Sequence, residues 1–233
     1  MKRNRILLYI TLLTNSLLWL CVQPSLAQRR EASADTVKHI PFYQGTSVGV
    51  DILAAGMHLV GNDYMGTDIS IETNLKNRFL PRVEIGFGKF EQTHDETQIY
   101  YKTSAPFFRA GMLYNVMHKK PHLPGFVAVG LLFGHTSFKY DVNAPALVDP
   151  DWDNITIPFD YKDVKSNASW LELVINLRTK VYKSFSMGWS IRYKRMLSSK
   201  KSENSEPLYI PGFGKNKDSQ WGITYNLIYN LPF

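Results

Sequence analysis

The chain has 233 residues, with Lys+Arg at 27 and Asp+Glu at 20. A hydrophobic content of 44% with 13% aromatics excludes a disordered chain, and the scattered charges exclude a helical multi-span membrane protein. Removing Lys2, Arg3 and Arg5 with an N-terminal leader leaves a modest positive excess and no concentrated basic face, which argues against nucleic acid as a partner. The single cysteine, Cys21, lies in that leader, so the rest of the chain has neither a disulfide framework nor a thiolate metal site.

Residues 1–27 read as an export signal peptide. Lys2, Arg3 and Arg5 form a basic start, residues 6–22 an apolar stretch, and Ser25 and Ala27 place small side chains before Gln28. An uncleaved anchor is the alternative, but Thr11, Thr14, Asn15 and Ser16 dilute the apolar run. Acylation of Cys21 is excluded by Trp19 and Leu20, which are bulky where a lipobox needs small residues. Residues 28–43 follow as a tail. Within it, Asp35, Thr36 and Val37 match the short O-glycosylation motif known from Bacteroidota.

From residue 44 to 233 the apolar residues alternate, the period of a strand with one greasy face. In chain order the segments centre on Val48, Val50 and Ile52; on Ile69 and Ile71; on Val83, Ile85 and Phe87; and on Phe108, Ala110, Met112, Tyr114 and Val116. They continue with Val127, Val129, Leu131 and Phe133; Leu171, Leu173, Ile175, Leu177 and Val181; Met187, Trp189, Ile191 and Tyr193; and Trp221, Ile223, Tyr225, Leu227, Tyr229, Leu231 and Phe233. Eight strands of about 9–11 residues suit a transmembrane barrel.

Tight turns fall at Lys76-Asn77-Arg78 and Tyr182-Lys183-Ser184, and a short link at His118-Lys119-Lys120-Pro121. Three long loops are expected at residues 91–105, 141–168 and 198–219, with a brief one near Gly61-Asn62-Asp63. Short turns at one end and long loops at the other are the pattern of outer-membrane barrels, whereas a soluble sandwich would hide its apolar face. The expected fold class is therefore all-β, an eight-stranded antiparallel transmembrane β-barrel with a polar, plugged interior.

The chain resembles the small outer-membrane β-barrel proteins of Gram-negative bacteria, and more narrowly an uncharacterised family of barrels from Bacteroidota. The terminal run from Tyr225 through Tyr229 to Phe233 is similar to the C-terminal signal read by the barrel-assembly machinery, with Pro232 departing from its commoner form. The resemblance implies a fold and an outer-membrane location but no activity. It also implies the assembly machinery, outer-membrane lipids including lipopolysaccharide, and other outer-membrane proteins as partners.

The faces opposite the apolar ones carry Asp51, Asp68, Glu72, Glu84 and Glu172 against Arg82, Arg109, Arg178, Lys180, Arg192 and Lys194. An eight-stranded barrel is only wide enough for its side chains to fill, so these charges are expected to pair as a lumen network rather than line a pore.

His135 and Ser137 share a strand face and offer a base and a hydroxyl nucleophile, as in membrane-embedded lipid A deacylases; no acid is assigned to the imidazole, and a rim position explains both residues without chemistry. Asp149, Asp151 and Asp153 alternate in the manner of weak Ca²⁺ ligands, but Asn154 stands where glycine is wanted and Asp160 where the closing Glu would be. His39, His58, His94, His118 and His122 show no shared metal spacing, so no cofactor is expected. Tyr100, Tyr101, Trp152 and Tyr161 are candidate contact residues in the long loops. The reading is a non-enzymatic envelope component or accessory subunit of an envelope assembly or secretion complex, with a lipid A-modifying hydrolase or a narrow channel as alternatives.

Overall fold

The computed structural model describes residues 41–53, 56, 64–94, 97–149, 155–200 and 205–232. Strict alternation produces long strands: β1 (Tyr43–Asp51), β2 (Tyr64–Leu75), β3 (Phe79–Thr93), β4 (Tyr100–Asn115), β5 (Gly125–Asp149), β6 (Ile155–Tyr182) and β7 (Phe185–Ser199). A small hairpin of β8 (Tyr209–Ile210) and β9 (Gly214–Lys215) precedes β10 (Ser219–Asn230). The eight long strands run antiparallel, each beside its neighbour in sequence, and β10 pairs with β1 to close the ring. Ser47 faces Asn230 and Val50 faces Leu227 at that closing seam. Closure leaves no free edge where the seam is paired, which is how a large antiparallel sheet avoids association through unpaired backbone.

Turn chemistry explains the short end. Between β2 and β3, Lys76 and Asn77 both take φ near +55°, at 52° and 55°, and Arg78 N donates to Leu75 O at 3.0 Å. Within this three-residue connection, positive φ at both central residues of the Leu75–Arg78 β-turn matches the right-handed twist of the strands it joins. Asn115, at the end of β4, donates through Nδ2 to Asn77 O at 2.9 Å and accepts from Met117 N at 2.9 Å, tying neighbouring turns together.

The long end differs from the sequence expectation. Residues 91–105 and 141–168 are not open loops, because β3 and β4 pair up to Thr93 and Tyr100, and β5 and β6 up to Asp149 and Ile155. These strands are 25 and 28 residues long for β5 and β6, well beyond the expected 9–11.

The physical reason is a change of face. On β5, Val127, Val129, Leu131 and Phe133 point outward; beyond Gly134 the outward positions become His135, Ser137, Lys139 and Asp141. The inward positions meanwhile become Phe138, Tyr140 and Val142, all buried. The period of two is unbroken, but the apolar set moves from the outer face to the inner one. Outward apolarity ends there, and strand does not.

The inward residues at this end form a core of Tyr101, Phe107, Phe138, Tyr140, Trp170 and others, into which the hairpin inserts Ile210 and Phe213. Trp170 and Phe213 meet edge-on at 5.8 Å, and Phe90 stacks on Tyr209 at 4.4 Å. Gly134 is required beneath this cluster, since a Cβ there would come within 2.2 Å of the Trp170 indole. Gly212, at φ +80°, makes the hairpin turn directly over Phe107. A second inward apolar cluster, Leu80, Leu113, Ala128, Leu132 and Val174, lies toward the short turns. The interior is thus less uniformly polar than its sequence pattern implies.

Replacing Phe213 with Ala should remove about 3–5 kcal/mol of packing from the cap. The expected outcome is faster tryptic cleavage after Lys215 and Lys217, with the ring itself left intact, as read by limited proteolysis and mass spectrometry.

Candidate functional site

On the short-turn side of the hairpin cluster and alongside the second one, β2, β3, β4, β6 and β7 aim charged side chains into the ring. Each follows from alternation alone: Asp68 and Glu72 on β2, Arg82 and Glu84 on β3, Arg109 on β4, Glu172 and Arg178 on β6, and Arg192 on β7 all occupy inward positions and are buried. Four carboxylates meet four guanidiniums.

Glu84 is the hub. Arg192 donates to both of its oxygens at 2.8 Å, Arg109 Nε lies 2.8 Å from Oε2, and Arg82 Nη1 lies 3.5 Å from Oε1. Since β3 and β7 stand on opposite sides of the ring, the Arg192–Glu84 pair spans the bore. Glu172 accepts from Arg192 at 3.0 Å and from Trp170 Nε1 at 2.7 Å, and Arg109 Nη1 reaches it at 3.5 Å. Arg109 also bonds Asp68. Nearer the short turns, Glu72 accepts from Arg82 Nε at 2.8 Å and pairs with Arg178 at 2.7 Å, and Arg178 donates to Ser47 Oγ at 3.3 Å. Planar guanidiniums suit this work because each offers five donors to several carboxylates at once.

Three of the eleven lumen candidates have other places. Asp51 is inward and buried, but its Oδ1 accepts from the backbone N–H groups of Leu53 and Tyr225, at 3.0 and 3.1 Å, where β1 ends beside β10. Lys194 donates Nζ to the carbonyls of Gly212 and Phe213, at 2.6 and 3.2 Å, and so holds the hairpin in the ring's mouth. Lys180 is a correction. It keeps the inward register, opposite Ser186, but lies at the mouth of the ring, where it is exposed and outside the ion-paired network.

The outer face has its own order. On β3, Phe79, Val83, Ile85 and Phe87 point outward, followed by Lys89 and Glu91, which pair at 3.1 Å. At a rise of about 3.3 Å per residue and a tilt of about 40°, the stretch from Phe79 to Phe87 covers a band about 20 Å high. Aromatic rings bound it. Phe79 meets Tyr114 at 5.9 Å and Phe185 meets Tyr229 at 5.2 Å toward the short turns, while Tyr193 meets Trp221 at 5.0 Å on the other margin. Ile85 is 61% exposed and Trp221 68%, against 1% for Glu84 and 0% for Glu172.

His135 stands just past that band, exposed, and its Nδ1 shares a 2.9 Å hydrogen bond with Ser169 Oγ, its register partner on β6. Ser137 shares the outer face but is opposed by Asn167, and among the described residues no carboxylate bonds His135. The structure therefore joins His135 to a serine that the sequence spacing did not indicate.

Tyr225 and Tyr229 sit on the outer face of β10, with Tyr225 4.4 Å from Trp189; Phe233 lies outside the described residues. Asp149 ends β5, and Asp151 and Asp153 lie outside the described residues, as do Trp152, His39, His58, the Asp35-Thr36-Val37 motif and residues 1–27. No group of three or more His, Cys, Asp or Glu among the described residues is placed to hold a metal ion. Tyr101 is buried, donating to Tyr209 O at 2.8 Å, and is therefore part of the cap and not of a contact surface.

Sequence reasoning missed the cap hairpin and the inner aromatic cluster. The alternation of Phe138, Tyr140 and Val142 with Lys139 and Asp141 carried the signal.

A family model described as Domain of unknown function (DUF6048) matches residues 6–233. The chain belongs to that family. No curated protein and no solved structure matches it.

Breaking a buried ion pair by removing one partner leaves an uncompensated charge and costs about 3–5 kcal/mol, whereas an exposed pair contributes about 1 kcal/mol or less. Glu84→Gln should therefore lower the urea unfolding midpoint strongly, because three arginines lose their shared partner. Lys139→Ala, which breaks the exposed 3.0 Å pair with Asp163, should leave the midpoint nearly unchanged.

Proposed function

We propose that this DUF6048 chain is an integral outer-membrane β-barrel with a closed lumen and a non-catalytic role, serving as a structural component or accessory subunit of an envelope assembly. The observation that carries this reading is the outward apolar band, bounded on both margins by aromatic rings and wrapped around an ion-paired interior. In water such a face would promote association, while in a bilayer it matches the hydrocarbon and its interfaces. Strands suit this environment because a closed ring satisfies backbone groups where no water can.

The lumen is closed in two ways. The Arg192–Glu84 pair crosses it, and the hairpin bearing Phe213 fills the long end. A general diffusion channel is thereby disfavoured. Past the band, β5 and β6 continue as paired strand for roughly 45 Å, with polar residues outward at His135, Ser137, Lys139, Asp163 and Lys165, a projection suited to docking another envelope protein. On this reading the short turns are periplasmic, and the outward tyrosines of β10 belong to the signal read by the barrel-assembly machinery.

The second reading is a lipid A-modifying hydrolase, favoured by the His135–Ser169 hydrogen bond at the margin of the band. Ser137→Ala and Ser169→Ala should leave lipid A acylation unchanged by mass spectrometry; loss of a deacylated species in either variant would establish the hydrolase instead.

The location is tested by fractionating cells that express the full chain. The protein should remain in the outer-membrane fraction through carbonate extraction, migrate differently on gels with and without heating, and give no conductance steps in planar bilayers. Recovery in the soluble periplasmic fraction would overturn the proposal.

A further inference from the structure

The short-turn end of the ring holds a cavity of about 440 Å³, enclosed by the start of β1, the strand ends around Arg178 and Asn230, and the β6–β7 turn. That volume lies within the range of small-molecule sites. Its wall contains three cations, Arg178, Lys180 and Lys183, and no Asp or Glu. Arg178 is 8% exposed, so the site reaches a buried charge and is not only a patch of surface lysines.

Arg178 is paired with Glu72 at 2.7 Å, so the positive excess at this wall comes from the two lysines. Among the described residues neither Lys180 nor Lys183 has a carboxylate partner. Asn74 adds a side-chain amide to the same wall. Thr46, Ser47 and Ser184 add hydroxyl and backbone groups around the same space.

We infer that this cavity binds a small phosphate ester carrying a free hydroxyl, the phosphate lying toward Lys180, Lys183 and Arg178 and the hydroxyl among the polar groups of Thr46, Asn74 and Ser184. The ligand comes either from solution or from the headgroup of a hydroxylated anionic lipid. The mouth lies beside Phe42, Tyr43 and Tyr182, exposed aromatics at the margin of the apolar band, so both sources have access. The inference concerns the interior of the ring and does not rest on what surrounds it.

Glycerol phosphate is the probe, titrated by calorimetry into the purified full chain in dodecyl maltoside, with uncharged glycerol as the comparison. Saturable binding is expected for glycerol phosphate and none for glycerol. The double variant K180Q/K183Q, in exposed residues whose loss spares the Glu72 pairs, should weaken binding about tenfold or more while keeping heat-modifiable mobility. Repeating the titration in nanodiscs separates the sources. If phosphatidylglycerol, but not phosphatidylcholine, suppresses glycerol phosphate binding, the occupant is the lipid headgroup. If both lipids leave it unchanged, the occupant is the free ester. Absence of saturable binding, or equal binding by the double variant, would overturn the site. A water-soluble chain that still bound glycerol phosphate would refute the membrane reading and leave this one standing.

Discussion

Glu84 has its carboxylate buried inside the ring, with the guanidiniums of Arg82, Arg109 and Arg192 arranged around it. Much of the rest depends on that arrangement. A buried charge costs several kcal/mol unless it is paired, so the inward positions of five strands must deliver acids and bases to the same level at the same time. Only one ring register does so. Shifting any strand by one residue would send its charges to the outer face and its aliphatic residues into the ion cluster. The cluster therefore penalises every other register.

The same constraint accounts for the shape of the interior. Charges occupy one zone, closed toward the hairpin by Trp170, Phe107 and Phe213 and flanked on one wall by Leu113, Leu132 and Val174. Trp170 joins the two regimes, giving its ring to the aromatic cluster and its Nε1–H to Glu172. Lys194 does the same from β7, since its ammonium holds two carbonyls of the hairpin turn. A mouth closed by buried aromatics and a lysine clamp is part of the fold itself.

Much of this was legible in the sequence wherever the outward face is apolar. The run from Trp221 to Tyr229 and that from Leu171 to Leu177 mark strands, faces and inward residues, because a single physical signal fixes all three. The pattern was harder to read past Gly134 and before Ala168, where apolar residues change face without a change of period and the greasy outer stripe that marks the strand disappears. The insertion of residues 209–215 was illegible for a different reason: nothing local in Tyr209, Ile210 or Phe213 states that their partners are Trp170 and Phe107, far away in the chain. Lys180 continues the inward alternation opposite Ser186, but it stands at the strand end, and alternation does not report how far along the bore a residue lies. The His135–Ser169 contact depends on cross-strand register, which spacing along one strand cannot supply.

The most direct test is a nitroxide scan along β5 in lipid vesicles, using single cysteines in place of Val129, Leu131, Phe133, Lys139 and Asp141. Collision with oxygen should dominate at the first three positions, as expected in acyl chains, and collision with a water-soluble nickel complex at Lys139 and Asp141, with the crossover near His135. Uniform access to the nickel complex at all five positions would contradict a lipid-facing band and the membrane reading built on it.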